Sequence, residues 1–400
     1  MQMIAALPTI PARPSAAILL DRARALVPGI AARAGETAQR RDLPPDTIRE
    51  LRGAGLMRGF QPIEWGGLEL DPQVVFDIQN VLAEACASTA WIQTVLSVQA
   101  FMLARFPHAA QADVWGDDPD TLVCSSFMPS GSVIVAEDGY RLSGRWSFAS
   151  GSSHCGWAVI GAIVPPGAGQ DRPHMRLFLL PAADYRIDDV WHTVGLRGTG
   201  SNDLLVEDAF VPSYRTLVPD AGLLPVAADS DLADLYRMPW LYVFTSAISN
   251  LSLGIARGAL NAFIDIARTR QAGPGQAARD LVAVHQAMAQ VELEVDAADL
   301  VARRNLSRLR TCAQTGALIA LSDALLYRSQ LTSMLRRIAG LVDELMVLSG
   351  ARALRTDSPL CRAWIDLSAA RQHPGNDPAR TFTLHAAEMF SRHELRGQLS

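Results

Sequence analysis

A strand-rich block between two helical regions is the feature that most restricts the fold of this chain. Between residues 122 and 212, short runs rich in Val, Ile, Phe and Trp alternate with Gly, Pro, Asp and Ser. This pattern predicts about seven short strands in an antiparallel sheet or a small barrel. The flanking residues show the apolar spacing of helices instead. Because a chain of 400 residues exceeds the usual size of one core, we expect separate helical, β and helical units.

Changes in composition predict the domain boundaries of a mainly α protein with a central β domain. Residues 15–117 form an N-terminal helical domain, residues 118–225 the β barrel or sandwich, and residues 230–400 a C-terminal helical domain. Gly- and Pro-containing breaks divide the last domain into four helical segments with short connections, which favours an antiparallel four-helix bundle. The predicted segments are about 236–270, 277–312, 318–350 and 359–393.

Charge and cysteine usage exclude several classes of protein. The net charge of −5 and the absence of a Lys/Arg block argue against nucleic acid as a partner. The five cysteines are scattered and never spaced as CxxC, which favours a reducing cytoplasm over disulfides or a zinc site. Eight histidines without an HExxH motif predict no metal centre. The N-terminus lacks a basic start before a long apolar run, so we expect neither a signal peptide nor a membrane span.

The segment Arg145–Trp157, RWSFASGSSHCGW, is the strongest candidate for a binding surface. It follows an Asp138–Gly139 hairpin turn, and its residues Trp146 and Phe148 alternate with small residues as in a strand with one packed face. Serines crowded beside aromatic residues suggest a place where a flat ligand with polar edges lies close to the backbone. A serine-rich turn between two strands is the alternative interpretation.

Three motifs carry a resemblance to a known family: GRWSFASGSSHCGW at 144–157, VGLRGTGSNDLLVEDAFVP at 194–212, and CRAWIDLSAARQH at 361–373. With the order of the three units, they resemble the acyl-CoA dehydrogenase fold over nearly the whole chain. More narrowly, the chain resembles the oxygenase components of two-component flavin-dependent monooxygenases, such as the hydroxyphenylacetate, steroid-phenol and dibenzothiophene enzymes. The middle motif is shared by the whole superfamily, so the first and last motifs carry the narrower assignment.

The resemblance implies an enzyme that accepts reduced FMN, or alternatively FAD, from a separate NAD(P)H:flavin reductase. Such an enzyme forms a flavin C4a-hydroperoxide with oxygen and transfers one oxygen atom to a small aromatic or polyketide-like molecule. The chain shows no second nucleotide-binding domain for NAD(P)H, which agrees with a partner reductase. The same resemblance implies a homotetramer.

The resemblance also implies which residues hold the flavin. It places Ser125 and Ser126, together with Phe148, Ser150 and Gly151, against the isoalloxazine ring. The Ser150 hydroxyl then reaches flavin N5 as a catalytic contact, as a donor that opposes loss of hydrogen peroxide from the flavin, and Ser125 lies near the other polar edge. In the alternative interpretation the serines satisfy backbone groups at strand ends.

Arg270, at the end of the first bundle helix, is the residue that the resemblance assigns to the flavin phosphate of a neighbouring subunit. A guanidinium group suits phosphate oxygens. A solvated helix end is the alternative for Arg270, and Arg268 is a second candidate for the phosphate.

His373 is the leading catalytic and substrate-binding candidate because it ends a helix just before Pro374. Its near-neutral pKa would suit taking a proton from a phenol or orienting the peroxide. Trp91 and Gln99 share one helix face, where the resemblance places substrate-lining residues. A histidine is expected where Gln99 stands, and glutamine cannot act as a base. This departure leaves His373 alone for proton transfer and makes a simple phenol a less certain substrate.

Other activities stay open at this level. An acyl-CoA dehydrogenase needs a carboxylate base, and the region after the last motif has no glutamate before Glu388, whereas Asp377 resembles a helix cap. Oxidation at nitrogen or sulfur, and a protein of this fold without catalytic activity, remain further alternatives.

Overall fold

The computed structural model describes residues 13–166 and 172–399, with side chains up to residue 394. The first residues, which bear on the signal-peptide prediction, lie outside this part of the chain. Within it, no helix combines the length and the apolar composition that a bilayer crossing requires.

Five helices form the N-terminal region, and α4 lies at its centre. Asp71 caps the start of α3, because its carboxylate accepts the Gln73 backbone N–H at 2.9 Å and Pro72 follows it as the first helical residue. Every residue of α4 is buried, since this helix packs against α3, the β region and the C-terminal helices. The helices are α1 (Ala16–Arg40), α2 (Pro45–Gly53), α3 (Pro72–Ala83), α4 (Ala87–Leu103) and α5 (His108–Trp115).

The central region consists of two open four-stranded sheets, so the barrel alternative is not what forms. One sheet has the order β1-β4-β5-β8 and the other β2-β3-β7-β6. All pairs are antiparallel except β1 with β4, which is parallel and departs from the antiparallel prediction. The strands are β1 (Val123–Ser126), β2 (Ser132–Ala136), β3 (Gly139–Ala149), β4 (Trp157–Val164), β5 (His174–Pro181), β6 (Arg186–Asp188), β7 (Asn202–Pro212) and β8 (Thr216–Leu217).

Trp146 joins the two sheets. Its indole is fully buried and donates a hydrogen bond to the Gly161 carbonyl of β4 at 2.7 Å. Phe148, predicted to share this packed face, is instead 62% exposed. The reason is a left-handed backbone (φ +68°) at Phe148, where the β3–β7 register shifts and reverses the direction of the side chain.

The C-terminal region is a helical bundle centred on α6, which packs closely against α7, α8 and α9. The predicted fourth helix is two helices, because Pro374 and Pro378 cannot continue the hydrogen-bond ladder across residues 371–377. A short β9–β10 hairpin, Gln271–Gly273 with Gln276–Ala277, precedes α7. The helices are α6 (Trp240–Thr269), α7 (Val282–Thr315), α8 (Leu321–Ser349), α9 (Pro359–Ala370) and α10 (Pro378–Leu399).

Candidate active site

Trp91 on α4 connects the two regions that the sequence singles out. Its indole N–H donates a hydrogen bond to the Ser150 hydroxyl at 3.1 Å. The centroid of its ring also lies 5.9 Å from that of the His373 imidazole. The serine-rich end of β3 and the end of α9 therefore meet across one buried side chain, although they are far apart in sequence.

Ser150 also belongs to a row of three hydroxyl groups. Its Oγ lies 2.7 Å from Ser201 Oγ, which lies 2.7 Å from Thr199 Oγ1. The Thr199 hydroxyl donates to the Leu196 carbonyl at 2.9 Å. All three hydroxyl residues are buried, so this row is shielded from bulk water.

Phe148, two residues before Ser150, is 62% exposed. Its ring forms a T-shaped pair with that of Trp191, at 6.2 Å between centroids. Left-handed backbone is costly for a bulky residue and is found most often where function requires an unusual geometry. A strained, exposed aromatic residue next to the buried Ser150 is suited to contact a flat ligand.

Gly151 holds the turn after β3 against α4. It has φ +70°, its N–H donates to the Thr199 carbonyl at 2.9 Å, and an added Cβ would lie 3.1 Å from Ile92 Cδ1. A side chain at this position would therefore strain the backbone and push the turn away from α4.

We expect Gly151→Ala to lower the free energy of unfolding by about 2 kcal/mol, as measured by urea denaturation. The control is Gly275→Ala in the β9–β10 turn, where φ is +71° and no atom lies within 4 Å of the added Cβ. This control carries only the backbone cost, about 1 kcal/mol. Equal losses in the two variants would contradict close packing of the turn on α4.

The His373 imidazole is arranged as a neutral hydrogen-bond donor. Its Nδ1 accepts the Gly375 N–H at 3.0 Å, which places the proton of the neutral ring on Nε2. Burial against Trp91 and Phe244 lowers the pKa of His373 to about 4. The ring is therefore neutral above about pH 5. Although it is largely buried, it also lines a cavity.

This cavity, of about 670 Å³, opens beside His373 at the junction of α8, α9 and α10. Its wall is mixed, with two arginines, one carboxylate and two prolines. The lining residues are Arg336, Arg371, Gln372, His373, Pro374, Asp377 and Pro378.

Gln99 is the clearest sign of a missing partner. It is fully buried on α4, and among residues 13–166 and 172–394 neither its amide nitrogen nor its amide oxygen has a hydrogen-bond partner. It lies two helical steps of four residues from Trp91, on the same face. A buried amide without partners destabilises a fold by about 1–3 kcal/mol, so its presence points to a ligand.

The remaining predicted residues lie in different settings. The Ser126 hydroxyl donates to the Ser147 carbonyl at 2.7 Å and so joins β1 to β3. Ser125 is half-buried and lies on the face of β1 opposite to that of Ser126. Phe127 follows it by two residues, and the centroid of the Phe127 ring lies 5.5 Å from that of Phe244. The Arg270 guanidinium donates to the Leu348 carbonyl near the end of α8, and its assignment to a flavin phosphate stays a prediction.

The loop from residue 194 to 201 contributes more than its sequence suggested. The sequence identified it only as part of a motif shared by the whole superfamily, and Thr199 and Ser201 were not among the predicted site residues. The Leu196 N–H donates to Asp366 Oδ1 of α9 at 2.6 Å, and burial raises the pKa of Asp366 to about 6. The hydroxyl residues Thr199 and Ser201 were visible in the sequence, but only the fold brings them to Ser150.

Comparison with known proteins shows the family of the chain. Residues 246–378 match the family described as acyl-CoA dehydrogenase, C-terminal domain. The chain is 36% identical to a flavin-dependent monooxygenase oxygenase subunit (HsaA) of Rhodococcus jostii, over 93% of this chain and 98% of the relative. It is 35% identical to an FADH2-dependent resorcinol hydroxylase oxygenase component of Rhizobium, over 85% and 86% of the two chains.

A solved structure shares the fold at a TM-score of 0.87. It is XiaF from Streptomyces in complex with FADH2 and glycerol, which is 26% identical, with 94% of this chain and 96% of that chain covered. The HsaA and resorcinol hydroxylase relatives are both named as oxygenase subunits or components. The chain thus belongs to the two-component flavin-dependent monooxygenases, as an oxygenase component that uses reduced flavin from a separate reductase.

Proposed function

We propose that the ring of the reduced flavin rests on Phe148, with N5 at Ser150, and that the substrate lies between this ring, Gln99 and His373. The observation that carries the proposal is the Trp91 bridge, because it brings Ser150 and His373 to one buried centre. The residues fit a flavin: the exposed aromatic ring of Phe148 is two residues from the buried hydroxyl of Ser150, as a ligand with an apolar ring and polar edges requires.

The bound flavin supplies the oxygen chemistry, and the protein residues supply position and shelter. Trp91, Val95 and Leu96 are buried along the proposed site, which favours exclusion of water from it. The His373 Nε2–H donates to a substrate oxygen and supports negative charge there. Since Nδ1 is already engaged and Nε2 carries a hydrogen, the orienting role predicted for His373 is better supported than the role of base.

The substrate that fits these groups is an aromatic molecule with two polar substituents. A ring hydroxyl accepts from His373, while a carbonyl or second hydroxyl pairs with the Gln99 amide. This combination is typical of polyketide-like phenols, and relatives are named for resorcinol and p-hydroxyphenylacetate. FMN, alternatively FAD, is the proposed flavin, and an NAD(P)H-dependent reductase is its proposed source.

We also propose a homotetramer that works in the cytoplasm. Large apolar side chains are exposed on α7 and α10, including Leu293 (71%), Leu300 (61%) and Phe390 (72%), as expected of helices that pack against other subunits. The five cysteines are free, which suits a reducing compartment. Light scattering at micromolar concentration tests the subunit number.

The function is tested by mixing the protein with reduced FMN and then with ¹⁸O₂ in the presence of resorcinol. We expect one ¹⁸O atom in a hydroxylated product and little hydrogen peroxide. Peroxide in full yield without labelled product, for resorcinol and for a panel of two-substituent phenols, would contradict the proposal.

A further inference from the structure

The hydroxyl row beside Trp91 has a preferred direction. A carbonyl oxygen only accepts, so the hydrogen of the Thr199 hydroxyl is directed to Leu196. Each hydroxyl carries a single hydrogen, so in the next contact Ser201 must donate to Thr199. By the same reasoning, Ser150 donates to Ser201.

This direction determines what Ser150 offers to a ligand. Its hydrogen is directed to Ser201, and one of its two lone pairs accepts from the Trp91 indole. One lone pair remains, and no hydrogen does. Ser150 is thereby a hydrogen-bond acceptor toward anything that lies against it, and not the donor that the resemblance implies.

We infer that Ser201 and Thr199 are positioning residues that make Ser150 an acceptor and so select reduced flavin over oxidised flavin. The inference rests on the proposed placement of flavin N5 at Ser150. Reduced flavin carries a hydrogen on N5 and donates it to the free lone pair of Ser150. Oxidised flavin has a lone pair on N5, which would face another lone pair. An N5–H held by Ser150 also retains its proton more firmly.

Reversing the row has a defined cost. Ser150 becomes a donor only if the row gives up one hydrogen bond. The least costly loss is at Leu196, because its carbonyl still accepts from Trp191 and from the Thr199 backbone N–H when Thr199 gives its hydrogen to Ser201. One hydrogen bond is lost, which corresponds to a preference for reduced flavin of about fivefold to tenfold. A tenfold preference raises the two-electron potential of the bound flavin by about 30 mV.

The test is a pair of anaerobic titrations, with oxidised FMN and with reduced FMN, on the wild type, Ser201→Ala and Thr199→Val. Ser201→Ala removes the acceptor of the Ser150 hydrogen, and Thr199→Val leaves Ser201 free to donate to Ser150. In both variants Ser150 can donate to N5, so we expect each to bind oxidised FMN about fivefold more tightly and to change its affinity for reduced FMN little. A substitution that only disturbed the structure would weaken the binding of oxidised FMN, so a gain in that affinity distinguishes the inferred role from a structural one. The control, Ser252→Ala, removes a buried hydroxyl that bonds only within α6, and we expect it to leave both affinities unchanged.

Ser150→Ala separates the inference from the placement on which it rests. We expect this variant to bind reduced FMN more weakly. If it does, while Ser201→Ala and Thr199→Val leave the ratio of the two affinities at the wild-type value, the inferred direction of the row is wrong and the placement stands. If Ser150→Ala changes neither affinity, the placement of N5 is wrong, and the inference with it. Circular dichroism melts confirm that each variant is folded.

Discussion

Replacing His373 by Phe should lower the yield of hydroxylated product about 100-fold. Phenylalanine keeps an aromatic ring packed between Trp91 and Phe244 but removes the Nε2–H that we assign to the substrate oxygen. Binding of reduced FMN should stay within about twofold of the wild type, because the proposed flavin contacts, Phe148 and Ser150, do not include His373. Single-turnover product analysis measures the yield, and an anaerobic titration measures binding. Wild-type yield in this variant would contradict the assignment.

The dependence on pH separates a neutral donor from a base. Because burial lowers the pKa of His373 to about 4, its charge does not change between pH 5.5 and 8, and the coupled yield should show no step near 6.5. The unfolded chain takes up this proton near pH 6.5 and the folded chain only near 4. Stability from His373 is therefore fully present above 6.5 and declines as the pH falls toward 4. A yield that halves near pH 6.5 in folded protein would show that His373 acts with an ordinary pKa.

Gln99→Met should make the ligand-free protein more stable and the enzyme less able to bind substrate. Methionine has nearly the same length as glutamine but no amide, so the change removes a buried polar group without partners and adds about 1–3 kcal/mol to the free energy of unfolding. The same change should weaken substrate binding about tenfold or more, because a polar substituent of the substrate then lacks its partner. Urea denaturation and substrate titration measure the two effects.

Gln93→Met is the matched control for the expected gain in stability of Gln99→Met. Gln93 is equally buried on the same helix, but its amide donates to the Leu56 carbonyl at 2.9 Å and accepts from Thr94. We expect Gln93→Met to destabilise the protein, since it leaves those partners unpaired. Loss of stability in both variants would show that the Gln99 amide is satisfied in the folded protein.

The order of the units, the hairpin at Asp138–Gly139 and the cap at Asp71 were predictable because each depends on neighbouring residues. The direction of Phe148 was not, because a register shift against β7 reverses the alternation that a single strand implies. The parallel β1–β4 pair was likewise hidden, since pairing of separated strands leaves no local pattern.

The candidate site shows the same division. His373 at a helix end and Ser150 in a serine-rich strand end were visible in the sequence, with the family resemblance as guide. Ser201 and Thr199 were not, because their partner Ser150 lies about fifty residues away and only the paired strands β3 and β7 bring them together. Gln99 was visible as a departure from the expected histidine, but its lack of partners depends on packing around the whole of α4.

A crystal structure of the protein with reduced FMN, grown without oxygen, tests the central claim most directly. The account predicts the flavin ring on Phe148, N5 within hydrogen-bonding distance of Ser150 Oγ, and His373 Nε2 facing a space beside the same ring. A flavin bound elsewhere, or a ring that contacts Phe148 with N5 turned away from Ser150, would contradict it.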